Sequence, residues 1–170
     1  MIKTVMAGAV AMALVSFGAN AANQGQGVVN FKGTVNDAPC GIAPESADQS
    51  IDFGQISKSH LNADGISVKK DLNIKLVNCE PGKNVAVTFT GATISGAATE
   101  LGTAGDTGTA VVISGQDGKL ISFGTEGAAQ SLKEGDNMLH YSSWVKKASG
   151  ADSVKEGDFT AVANFNLTYN

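Results

Sequence analysis

Arginine is missing altogether from this 170-residue sequence: its 12 basic side chains are all lysine, set against 16 Asp and Glu for a formal net charge of −4. Nucleic-acid binding is thereby excluded as a main function, because neutralising phosphates takes clustered cations and above all the forked guanidinium. The adjacent lysine pairs, Lys69-Lys70 and Lys146-Lys147, read as solvated strand ends. Histidine is nearly as scarce. His60 and His140 are too few to build a His-rich zinc or copper site. Trp144 is the sole tryptophan beside two tyrosines, which leaves little aromatic platform for stacking sugars. Beyond the first twenty residues no apolar run approaches the roughly 20 residues that a membrane-spanning helix needs.

What is present starts with Lys3, an apolar run from Val5 to Phe17 and the small-residue stretch Ala19-Asn20-Ala21, the order of a secretory signal peptide. Cleavage after Ala21 places alanine at both small-residue positions. Residues 1–21 are therefore expected to leave, giving a mature chain of 149 residues with a formal charge of −5 once Lys3 is gone. That length suits one domain with a respectable core. Export also gives the two cysteines a meaning. In an oxidising compartment Cys40 and Cys79 argue for a single disulfide, since a metal site would need further ligands.

Period-two alternation dominates the mature sequence, in short β-branched stretches bounded by Gly, Asn, Asp and Ser, so the fold class is all-β. From Gly25 to Val35 one face carries Gly25, Gly27, Val29, Phe31, Gly33 and Val35. Asp71 to Cys79 alternates through Leu72, Ile74 and Leu76, and Val85, Val87 and Phe89 repeat the pattern after the Pro81-Gly82 turn. Val111–Ser114 and Lys119–Phe123 flank Asp117-Gly118, a signal for a tight hairpin. Leu139, Tyr141 and Val145 mark another strand. The last runs through Phe159, Ala161, Ala163, Phe165, Leu167 and Tyr169, with Val162 out of phase. Gly-rich Gly91 to Gly108 reads as loop, and no Gly-Lys-Ser or Gly-Lys-Thr follows to make it a phosphate cradle. Seven or more strands with almost no helical periodicity predict a β-sandwich.

Catalytic motifs are sparse. Asp106-Thr107-Gly108 matches the tripeptide around an aspartic-protease carboxylate, but it occurs once and follows a Gly-rich stretch rather than a buried apolar strand. No Gly-x-Ser-x-Gly elbow is present. Glu134-Gly135-Asp136 and Glu156-Gly157-Asp158 lack the ligand spacing of a calcium loop and read as turns before strands. Asn166-Leu167-Thr168 matches a glycosylation sequon but falls within a predicted strand. The expectation is a non-enzyme with no cofactor, no metal and no small-molecule substrate.

The arrangement of the ends is more telling: an alternating Gly-containing segment directly after the signal, a cysteine soon after it, and an alternating strand closing on a penultimate tyrosine. Through Gly25–Val35, Asp37-Ala38-Pro39-Cys40, Ser50-Ile51-Asp52-Phe53-Gly54 and Leu76-Val77-Asn78-Cys79, the chain resembles the subunits of chaperone–usher pili, most of all the major rod pilins of P-type pili. Members of that family carry a glycine fourteen residues from the C-terminus and a penultimate tyrosine; here these are Gly157 and Tyr169.

The resemblance implies an immunoglobulin-like sandwich lacking its last strand. Its groove would be filled first by a periplasmic chaperone and later by the N-terminal extension of another subunit, with an outer-membrane usher handling export to a cell-surface fimbrium. On that basis residues 22–35 form a donor-strand extension, with Gly25, Gly27, Val29 and Phe31 facing the groove, and residues 36–170 form the pilin domain. Gly157, Phe165, Leu167, Tyr169 and Asn170 would mark the groove edge and chaperone contact. Partners would be identical or related subunits, the chaperone and the usher, with no nucleic acid. Competing readings are a minor, adaptor or terminator subunit, or a free-standing secreted carbohydrate-binding sandwich.

Overall fold

The computed structural model describes residues 27–35 and 37–170, and the chain divides into two units, Met1–Val35 and Asn36–Asn170. The expected signal peptide, its cleavage point after Ala21, and Gly25 lie outside the described residues. In the first unit residues 27–35 carry no helix or strand, and their apolar side chains are in water: Val29 is 74% exposed and Phe31 90%.

Among its described residues the second unit contains nine strands and two short helices: β1 (Gly41–Ile42), α1 (Pro44–Ala47), α2 (Lys58–Asn62), β2 (Lys70–Cys79), β3 (Asn84–Gly91), β4 (Thr93–Ile94), β5 (Ala97–Gly102), β6 (Thr109–Gly115), β7 (Gln130–Ser131), β8 (Gly135–Lys147) and β9 (Ala163–Tyr169). They form a six-stranded sheet in the order β1-β2-β8-β6-β5-β4 and a three-stranded sheet in the order β7-β3-β9, all neighbours antiparallel. The alternation explains the layering. Ile74 and Leu76 of β2, Val111 and Ile113 of β6, and Leu139, Tyr141 and Val145 of β8 point from the large sheet into one core. Val85, Val87 and Phe89 of β3 meet them from the small one. Phe89 packs edge-on against Tyr141 with ring centroids 5.0 Å apart, bridging the two sheets. This is the two-sheet architecture of an immunoglobulin-like sandwich.

Cys40 and Cys79 are joined in a disulfide that ties the residue before β1 to the end of β2. Beyond β1 the chain stays beside β2 without forming a strand. Ser46 Oγ accepts the Lys75 N–H at 2.9 Å, and the Gln49 side-chain amide donates to Asn73 O at 3.0 Å. Side chains thus satisfy the edge of β2 that a longer first strand would otherwise cover.

Three local expectations need correction. Gly91–Gly108 is not all loop, since β4 and β5 lie within it and β5 pairs with β6 through Leu101↔Val111. Leu101 is buried there, and short strands carrying a single large apolar residue give too weak an alternation to stand out. Lys119–Phe123 makes only a bridge, Ser114↔Leu120, and then leaves β6 to donate the Phe123 N–H to Ala98 O. Its turn closes as Gly118 N–H to Gly115 O at 2.9 Å, with positive φ at Gly118 alone. Finally, β9 begins at Ala163 rather than Phe159, because Thr160 exchanges two backbone hydrogen bonds with Ala104 instead.

A buried charge also went unanticipated. Glu100 of β5, 5% exposed, accepts hydrogen bonds from the Lys146 ammonium of β8, from Ser149 N–H at 2.7 Å and from Ser149 Oγ at 2.7 Å. Burial pushes its carboxyl up, but the Lys146 and Ser149 bonds together outweigh burial and hold it below the ordinary glutamate value.

Candidate groove along the last strand

Strand β9 pairs with β3 along one edge only, from Val85↔Tyr169 to Gly91↔Ala163; among the described residues no strand pairs with the other edge. Beside that open edge lies a cavity of about 720 Å3. One wall is the chain from Phe159 to Phe165, and the other is the stretch from Ser46 to Ile51 with Ile42 and Phe53. Leu72, Phe89, Leu101, Val111 and Ile113 line it as well. These belong to the core or pack directly against it, so the floor of the groove is the hydrophobic core itself. A second cavity of about 780 Å3 shares Ile51, Phe53 and Phe159 with the first and runs on between residues 51–56 and 154–159. The two make one groove.

An unpaired strand edge is what β-proteins normally avoid, because its N–H and C=O groups template pairing with another chain. Here the inward face of β9 is only half-buried at Phe165, Leu167 and Tyr169, although all three pack against the core. Phe165 lies 6.4 Å from Phe89, centroid to centroid. Partial burial pushes the Tyr169 hydroxyl above its usual value, so it stays neutral. The arrangement lacks a strand's worth of cover.

Of the residues singled out in the sequence, Phe165 and Gly157 line the groove, one in each cavity. Gly157 has a φ of +146, a conformation that side chains rarely adopt. Leu167 and Tyr169 share the face of Phe165 further along β9 but line neither cavity. Asn170 is exposed and exchanges two backbone hydrogen bonds with Asn84. Gly27, Val29 and Phe31 lie in the first unit. Asp106, the one protease-like carboxylate, sits exposed in a turn with a φ of +53.

The sequence reading missed most of the second wall. Residues 51–56 had the signal, three apolar residues at Ile51, Phe53 and Ile56, but the stretch forms no strand. Also missed was the backing of the first wall. There Ala104 and Thr107 hold Thr160 and Lys155 through backbone hydrogen bonds of 2.8–3.3 Å, and the chain at Gly105 comes so close that an added Cβ would lie 2.1 Å from Asp158 O.

The sequence pattern of the family described as "Fimbrial protein" matches residues 29–170. The Pap fimbrial major pilin protein of Escherichia coli is 54% identical over 99% of this chain and all of its own length, and the Major MR/P fimbria protein of Proteus mirabilis is 42% identical over 93% of this chain and 92% of its own. The crystal structure of the P pilus rod subunit PapA superposes with a TM-score of 0.74 at 50% identity, covering 78% of this chain and all of that one. A subunit from the structure of a chaperone–usher pilus, a study of rod uncoiling, gives 0.77 at 53% identity over 86% and 97%. Matched from the first unit to its last residue, this chain belongs to the fimbrial protein family.

Proposed function

We propose that this pilus subunit polymerises by strand donation, residues 22–35 of one copy filling the groove beside β9 of another. The observation that carries the proposal is the groove itself: an unpaired strand edge above a floor of core side chains. Adding an extended segment to an exposed edge is an established binding mode, with backbone hydrogen bonds giving affinity and alternate side chains filling pockets. The donor has the required pattern, since every second residue from Gly25 through Phe31 is apolar or glycine, and Val29 and Phe31 stand exposed. Burying those two contributes about 1.5–3 kcal/mol each, and each new backbone hydrogen bond about 0.5–1.5 kcal/mol. Such gains rival a whole domain's stability of about 5–15 kcal/mol, so a subunit with an empty groove is barely stable.

That marginality is the reason for a periplasmic chaperone, which supplies a temporary strand along the edge marked by Phe165, Leu167, Tyr169 and Asn170, and for an usher that exchanges it for a subunit's. Relatives that bear the names of major pilin and major fimbria proteins support a position in the shaft over a minor, adaptor or terminating one. The product is a cell-surface fimbrium, and the role is structural.

The test moves residues 22–35 from the N-terminus to a position after Asn170 through a short flexible turn. An intramolecular donor arrives at an effective concentration of about millimolar, enough to outcompete donors on other subunits. The rearranged chain is expected to be a chaperone-independent monomer by size-exclusion chromatography and to melt well above a chain with the same residues deleted. Equal stability of the two would show that the domain is complete without a donor.

A further inference from the structure

Strand donation needs two walls held at a fixed separation, and at one end of the groove a single short helix joins them. The wall formed by residues 51–56 runs through Ser57 directly into α2. Leu61, 2% exposed, anchors α2 in the core. Lys58 and Asn62, one helical turn apart and therefore on one face, reach to the opposite wall. The Asn62 side-chain amide binds Val154 at both backbone groups: its Oδ1 accepts the Val154 N–H at 2.7 Å, and its Nδ2 donates to Val154 O at 3.2 Å. Lys58 Nζ pairs with Glu156 Oε1 at 2.6 Å. Between them, Lys155 N–H is held from behind by Thr107 O at 2.8 Å.

We infer that Asn62 and Lys58 are positioning residues for donor-strand retention: together they clamp residues 154–156 to α2 and keep this end of the groove preformed for the incoming strand. Asn62 acts as a one-residue substitute for a strand partner, satisfying both the donor and the acceptor of Val154, which a water-filled groove would otherwise leave free to shift. Glu156, held in its ionised form by the Lys58 ammonium, adds a second point of attachment two residues on. A wall already in place costs the donor no ordering when it binds, so the clamp acts chiefly by slowing release. The inference rests on the strand-donation reading.

The experiment dilutes the unfolded chain, at low concentration, into excess fluorescent peptide of residues 22–35 and then chases with unlabelled peptide, following release by anisotropy. Asn62→Ala is expected to capture the peptide and release it about tenfold faster than the wild type, the loss of two backbone-directed hydrogen bonds. Release at the wild-type rate would overturn the clamp while leaving strand donation standing. A wild-type chain that captures no peptide would instead overturn strand donation, and the clamp with it. If Asn62→Ala captures nothing, the exposed pair decides. Lys58→Glu should speed release about two- to fivefold, as an exposed ion pair allows, and adding Glu156→Lys should restore it. Failure of the reversed pair to restore release would refute the inference, since a merely structural role for Lys58 would not be rescued by its partner.

Discussion

Replacing Glu100 by glutamine changes one atom in a nearly closed site, and its cost can be reasoned from the contacts. The Glu100 side chain is 6% exposed and its two oxygens accept three hydrogen bonds, from Lys146 and twice from Ser149. Glutamine keeps the shape and one acceptor oxygen but removes the charge. Hydrogen bonds to charged groups are worth about 1.5–3 kcal/mol against about 0.5–1.5 kcal/mol for neutral ones. Lys146 is 35% exposed and can turn partly to water, which discounts the loss. The net expectation is a destabilisation of about 1–2 kcal/mol, seen as a fall of about 2–8 °C in melting temperature for a domain of this size. The pH dependence gives a sharper check. Because the folded carboxyl lies below the ordinary value of about 4.3, its stabilisation is complete above that value and is lost as pH falls through the folded one. Wild type and Glu100→Gln should therefore differ most at neutral pH and converge as the pH falls through the lowered value of the folded carboxyl. Melts of the rearranged, self-filled chain across this range are the assay. A gap that is absent at pH 7, or that stays constant into acid, would refute the reasoning.

Removing the disulfide by Cys40→Ala with Cys79→Ala opens a loop of 39 residues and should cost about 4 kcal/mol on the chain-entropy account, measured by urea denaturation. Gly105→Ala sets a Cβ against Asp158 O at 2.1 Å on a backbone with a φ of +105, so the loop behind the first wall must move. A loss of about 2 kcal/mol or more and a poorer yield are expected, checked by melting against Gly96→Ala, which has a similar positive φ but open space. Phe165→Asp with Tyr169→Asp places two carboxylates on the half-buried face of β9, and folded subunit should not be recovered from the periplasm. Wild-type recovery of that variant would show that this edge is not used.

Alternation, cysteine count and the order of the ends were enough to read an all-β sandwich, its single disulfide and a fimbrial subunit from the residues alone. Those features are local. A period of two at Ile74 and Leu76, or at Phe165, Leu167 and Tyr169, survives in the sequence because each strand must put one face to the core wherever that core lies. The elements that escaped are those whose structure is set by distant partners. β5 is a strand because Leu101 finds Val111, residues 119–123 are not because Phe123 finds Ala98, and β9 starts late because Thr160 finds Ala104. Glu100 looked like a loop residue until the fold brought Lys146 and Ser149 to it across intervening strands. The groove belongs to the same class. Its floor collects side chains from β2, β3, β5 and β6, and α2 sets one end through contacts 92 residues apart in the chain, so only the folded chain could define its walls.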